Sequence, residues 1–357
     1  MTQPADVVVV GAGAMGSATA WWLARAGRQV VLLDRHPRGH TLGSSHGGSR
    51  IFRLAYPHPA WVATAQEALG LWRQLEEEAG TELLLVRGGV DHGARPAVEA
   101  VASALAARGA RHEMLSAAEA AQRWPGMRFR GPVCHQPDAG TVLADRAVHT
   151  LQERVADLGG LVRFSSPVTS VESDAGEIVV SCADDDFRAG AVVVTAGAWA
   201  PSLIPDLPGR PVVPPMTVTQ EQTFHFAPAP SGAPTRWPSF IHHRSPVIYG
   251  LETPGEGVKV AEHMAGRVLA HPDDRFDGVD PAARPRVRTY VERWLPGLVP
   301  VPVTESTCLY TTTPDESFVI TRRQRVVIGA GFSGHGFKFV PWVGRRLADL
   351  AEEALAG

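Results

Sequence analysis

Of the 34 basic Lys and Arg side chains in this chain only two are lysines, Lys259 and Lys338. Wherever a generic positive charge suffices, the sequence uses arginine. A lysine kept against that bias suits a place that needs a compact, desolvatable amine, which arginine cannot imitate; two leftovers at random positions is the plainer alternative. Lys338 follows Gly329-Ala330-Gly331-Phe332-Ser333-Gly334-His335-Gly336, four glycines in eight residues. Such a turn lets backbone lie close against a flat ligand, and the helix expected over residues 341–355 points its positive N-terminus back at it. Two positive features beside a flat surface suit an electron-accepting ring that becomes anionic when reduced, and a flavin answers that description. Tight packing of a strand–turn–helix unit is the alternative for the glycines alone.

A second glycine-rich turn lies near the N-terminus. The run Asp6 to Val10 reads as a strand buried on both faces. Gly11-Ala12-Gly13-Ala14-Met15-Gly16 follows, then a helix with an apolar stripe, then the strand Gln29 to Leu33 ending at Asp34 and Arg35. Strand, G-x-G-x-x-G, helix, strand and acid in that order is a dinucleotide cradle: the turn brings the helix N-terminus to a pyrophosphate, and Asp34 accepts from a ribose. The motif alone does not separate NAD from FAD. Small residues recur at Gly43 to Ser49, ahead of Arg50 and Arg53, which bracket an apolar pair; an NAD-dependent dehydrogenase has no evident use for that segment.

Helices are expected over 61–79, 96–108, 117–124, 146–157 and 281–294, and strands over 162–164, 168–172, 177–181 and 190–194. From Pro211 the pattern changes to antiparallel strands at 217–226, 247–251 and 257–261, with a Pro-rich loop at 227–238, and 305–312 leads back to the glycine-rich stretch. Length and an ordinary hydrophobic content of 44% fit two domains sharing one interface. The net charge of −3 carries no nucleic-acid footprint. No apolar run is long enough for a bilayer, and no signal-peptide pattern opens the sequence, so a cytoplasmic protein is expected. Cys134, Cys182 and Cys308 make no paired spacing, and no zinc motif or other metal site is expected.

With these residues in place, the chain resembles the FAD-dependent D-amino-acid oxidase superfamily, in particular its monomeric sarcosine oxidase and N-methyltryptophan oxidase branch. The resemblance spans nearly the whole length. It is most specific at 45–53, 257–263, Cys308-Leu309-Tyr310-Thr311-Thr312-Thr313-Pro314-Asp315 and 331–339. It implies an α/β fold, α+β overall: a discontinuous Rossmann-like FAD-binding domain with a central parallel sheet (1–85, 137–212 and 306–357) and a substrate domain with a mainly antiparallel sheet (86–136 and 213–305). It implies FAD joined covalently through its 8α-methyl to Cys308, Arg53 and Lys338 holding a substrate carboxylate, and Lys259 near flavin N5 serving the reaction with O2. Tyr249, Tyr310 and His263 match substrate-side residues. Gly11, Gly13, Ala14, Met15, Gly16, Asp34, Arg35, Ser44, His46, Arg50, Val168, Gly197, Gly334, His335 and Gly336, with Lys338, complete the expected cofactor set. The implied activity is oxidation of a secondary (N-methyl or cyclic) α-amino acid to an imine, with hydride transfer to FAD and O2 reduced to H2O2, by a monomer whose partners are the amino acid and O2. An imine or cyclic amino-acid oxidase of secondary metabolism, and a non-catalytic flavin-binding subunit, are the alternatives. Trp342 departs from the motif and is left outside the site.

Overall fold

The computed structural model describes residues 2–230 and 237–356; the expected loop at 227–238 therefore lies in part outside the described residues. A parallel layer runs Val326–Ala330, Asp186–Val194, Thr2–Val10, Val30–Leu33, Leu161–Arg163. Antiparallel strands Val168–Asp174 and Glu177–Cys182 extend it, and Val319–Arg323 adds an antiparallel edge. The valine run of the first strand is explained by its two faces. Val7 and Val9 pack with the helices Ala14–Arg25, Ala144–Asp157 and Val340–Ala356. Val8 and Val10 point the other way, into a second cluster with Ile178, Val180 and Phe187. Successive strand residues alternate faces, so a strand covered on both sides is apolar throughout.

The second sheet has nine strands. Its order is Arg267–Leu269, Thr217–Pro228, Gly257–Glu262, Ile248–Thr253, Ser239–His243, Gly89–Gly93, Val133–Gln136, Glu113–Leu115, with Leu298–Thr312 on the other side of Thr217–Pro228. All neighbours are antiparallel except Ser239–His243 and Gly89–Gly93, which run parallel. The helix Ala283–Trp294 covers one face through Val287, Tyr290 and Val291. A three-stranded sheet, Arg50–Phe52, Gly140–Val142 and Leu84–Val86, sits beside the two larger ones.

Most expected elements appear within a few residues of their expected bounds. One differs: the segment 305–312, read only as leading back to the glycine-rich stretch, is the end of a long strand that begins at Leu298. Pro300 and Pro302 argue against a strand interior, yet among the described residues this strand pairs on one side only, where a missing N–H is tolerated. Among the described residues no helix is long and apolar enough to cross a membrane.

Candidate active site

A cavity of about 950 Å3 opens between the parallel sheet and the second sheet. All but one of the expected cofactor and substrate residues line it. The exception is Gly16: a Cβ there would lie 1.8 Å from the Gly11 carbonyl oxygen and 2.5 Å from Thr195 Oγ1, so this glycine serves helix–turn packing.

At one end lies the first glycine turn. The helix Ala14–Arg25 starts at Gly13 with no side-chain cap and no acidic residue in its first turn. Ser45 Oγ takes the Ala14 N–H at 2.9 Å. Gly13, Ala14 and Met15 line the cavity, so the positive helix end borders it, as an anion site requires. Asp34 is held by the Ala12 and His36 N–H groups at 2.8 and 2.9 Å. Arg35 lies 3.6 Å from Asp273 and over the Trp199 ring; Val168 and Gly197 line the same end.

Further in, Arg50 knits the small-residue segment together. Its guanidinium donates to the carbonyls of Ser44, His46 and Ser49 at 2.7–2.8 Å and stacks over Phe337. Ser44 Oγ reaches the Leu309 carbonyl at 2.5 Å, and this ties the segment to the strand bearing Cys308. His46 Nε2 is buried with no partner. Burial, then Arg50, lowers the His46 pKa to about 4, so its ring is neutral. Lys259 is 5% exposed and donates to the Ser49 carbonyl at 3.0 Å. Burial, then Arg50, brings its amine down to about 7. The thiol of half-buried Cys308 is pushed up by burial.

The other end holds Arg53, Lys338, Tyr249, Tyr310 and His263. Lys338 sits on a 3-10 turn, Phe337–Phe339, pinned where Trp72 Nε1 donates to the Lys338 carbonyl at 2.8 Å. Lys338 is 4% exposed, and its amine donates to Tyr56 Oη at 3.0 Å and the His335 carbonyl at 2.6 Å. The full charge expected for Lys338 is opposed here: burial, then Arg53, lowers its pKa well below the usual lysine value. His335 Nε2 meets the Glu316 carbonyl at 3.1 Å, so Nε2 carries the hydrogen and Nδ1 accepts from Tyr56 at 3.1 Å. Arg53 lies 4.4 Å over the Tyr56 ring, and its Nη1 is buried without a hydrogen-bond partner. Tyr249 and Tyr310 hydrogen-bond through their hydroxyls, and the His263 ring packs beside both. Burial, then Arg53, puts the His263 pKa at about 4, leaving it neutral. Gly334 has φ +70°, and a Cβ there would meet the Tyr310 ring at 2.1 Å. Trp342 does not line the cavity; its indole donates to Glu67 at 3.0 Å on the helix Pro59–Ala79.

Sequence reading missed Tyr56, Asp91 and His243. Tyr56 is the shared partner of Lys338, His335 and Arg53. Its nearness to Arg53 in sequence was a usable signal. Asp91, a charged residue inside a five-residue strand, was another.

Comparison with known proteins agrees with this geometry. The family model described as FAD dependent oxidoreductase matches residues 6–350. The peroxisomal sarcosine oxidase of Homo sapiens is 35% identical, over 97% of this chain and 92% of that protein. The monomeric sarcosine oxidase of Streptomyces avermitilis is 34% identical, over 98% and 94%. Among solved structures, NikD, an unusual amino acid oxidase essential for nikkomycin biosynthesis, superposes with a TM-score of 0.87 at 28% identity, covering 99% of this chain and 95% of that one. The family match spans the strand, both glycine turns and the cavity between them, and the chain belongs to the DAO family of FAD-dependent oxidoreductases.

Proposed function

We propose that this protein is a covalent flavoprotein oxidase of secondary α-amino acids. The residues fit FAD on three counts. A helix N-terminus with no acidic residue in its first turn, and Asp34, suit a pyrophosphate and a ribose. The Gly43–Ser49 segment, fastened by Arg50, leaves His46 Nε2 buried and unpartnered. A half-buried thiol, Cys308, lines the same cavity. When bound, FAD supplies an acceptor for the hydride of the carbon beside the substrate nitrogen and passes two electrons to O2, which leaves as H2O2.

The chain's own groups do the rest in this reading. Arg53, whose buried Nη1 makes no hydrogen bond, takes the substrate carboxylate, and Lys338 supports it. Tyr249, Tyr310 and His263 bound the space for the nitrogen and side chain. Those three offer no charge to an ammonium, which favours the neutral amine that gives up hydride most readily. Lys259 holds a proton near neutrality at a buried position, where a cation favours negative charge developing on oxygen. Residues 1–85, 137–212 and 306–357 form the cofactor part, and 86–136 and 213–305 the substrate part. A cytoplasmic monomer completes the reading.

The observation that carries the proposal is the buried Arg53 Nη1 that makes no hydrogen bond beside Lys338, at one end of a cavity whose other end is the dinucleotide turn. A peroxide-coupled screen of sarcosine, N-methyl aromatic amino acids, proline, pipecolate and their decarboxylated amines tests it. The acids should turn over and the amines should lag by about a hundredfold, the cost of an unanswered buried cation. Amines turned over as well as acids would sink the carboxylate clamp. The ring-lined pocket favours cyclic substrates as the second reading, which the same screen separates.

A further inference from the structure

Asp91 is the acidic residue in ion-pair reach of Arg53 among the described residues, and it lies in the middle of the strand Gly89–Gly93. That strand is paired on both sides: Asp91 stands opposite Ile241 in one neighbour and Cys134 in the other. Its backbone is therefore fixed, and its side chain is 5% exposed. A carboxylate buried so deeply needs partners. His243 Nε2, on the cavity wall, donates to Asp91 Oδ1 at 2.8 Å. Arg53 Nη1 faces the same oxygen at 3.9 Å, inside ion-pair reach and outside hydrogen-bond reach.

We propose that Asp91 is the positioning residue of Arg53. It balances the guanidinium charge and fixes its direction while leaving its donors free for an incoming carboxylate, and His243 is the tether that holds Asp91 back. Arg53 and Lys338 share one buried space. With no anion behind it, Arg53 would turn toward water or press Lys338 further into its neutral form. With Asp91 fully engaged on Arg53, the fork would already be occupied. The observed spacing avoids both outcomes. This inference rests on the reading that Arg53 receives the substrate carboxylate.

Binding of propionate, a carboxylate without nitrogen, to the holoenzyme can be followed by the change in flavin absorption. Asp91→Asn keeps the shape and removes the charge. It should raise the propionate Kd about tenfold and raise KM for an N-methyl amino acid to match, with kcat nearly unchanged. Turnover of the decarboxylated amine should stay within about twofold of the wild type. His243→Gln frees Asp91 to close on Arg53 and should raise the Kd about threefold, and the double variant should be no weaker than Asp91→Asn alone, because the two residues act as one unit. His243→Gln carries the test if Asp91→Asn does not fold. A propionate Kd that is unchanged or tighter in the variants, or an equal loss on the decarboxylated amine, overturns the inference. Arg53→Met separates it from the reading beneath: if propionate binding survives that change, the carboxylate assignment fails; if binding is lost there and kept in Asp91→Asn, only the role of Asp91 fails.

Discussion

At the scale of single residues, burial governs what the polar groups of the cavity do. Lys259 and Lys338 both lose proton affinity because water is excluded around them, and a neighbouring arginine deepens the loss. A lysine at about 7 instead of 10.5 is neutral in the folded protein across a window where the unfolded chain still holds its proton. Unfolding then takes up a proton, so stability rises with pH between about 7 and 10, by about 1.4 kcal/mol per pH unit for one such group. Lys259→Met should flatten that slope in holoprotein melting curves recorded from pH 7 to 10; an unchanged slope would show that Lys259 is not desolvated. The same variant should slow reoxidation of the reduced enzyme by about a hundredfold or more in stopped flow, while anaerobic reduction by substrate changes far less. Equal slowing of both half-reactions would remove Lys259 from the oxygen step.

At the scale of elements, what was legible in the sequence is what local chemistry dictates. The valine runs gave the parallel strands because both faces of that sheet are buried. The glycine turns announced themselves because close backbone approach tolerates no other residue. Gly16→Val would drive a branched side chain into the Gly11 carbonyl and Thr195. It should cost more than about 4 kcal/mol and abolish soluble, flavin-containing protein; a yellow, stable variant would refute that packing role. The rest was not legible because it depends on long-range pairing. Nothing local says that Gly89–Gly93 runs parallel to Ser239–His243, and it is this register that brings Asp91 to His243. The early start of the strand Leu298–Thr312 was hidden by its prolines, whose compatibility depends on which strand edge they face. The family resemblance led to Arg53 and Lys338 as a pair, but the tyrosine that joins them emerged only from the fold.

At the scale of the whole molecule, the cavity is the seam between two sheets. The turn that suits the pyrophosphate belongs to the parallel sheet, and Cys308 lies on a strand of the second sheet. A cofactor bonded at Cys308 and held at Gly13 would clamp the two together. Acid-precipitated protein should stay yellow in the pellet. Cys308→Ser should release the colour and lower the melting temperature by about 5 °C, as expected when a long-range cross-link is lost. Free FAD in the supernatant of the unmutated protein would rule the bond out.

The scarcity of lysine has a practical side. Both lysines face the interior, at 5% and 4% exposure. Amine-directed dyes, cross-linkers and surface-coupling resins therefore meet no accessible side-chain amine on the folded protein, and any labelling falls on the chain terminus. A lysine-specific protease likewise has only two cut sites, and both lie in the cavity wall. Its cleavage into pieces ending at residues 259 and 338 should begin only when the seam opens, and ligands that close the cavity should delay it. Digestion at the same rate with and without bound ligand would show that those two peptide bonds are reached by some opening other than that of the cavity.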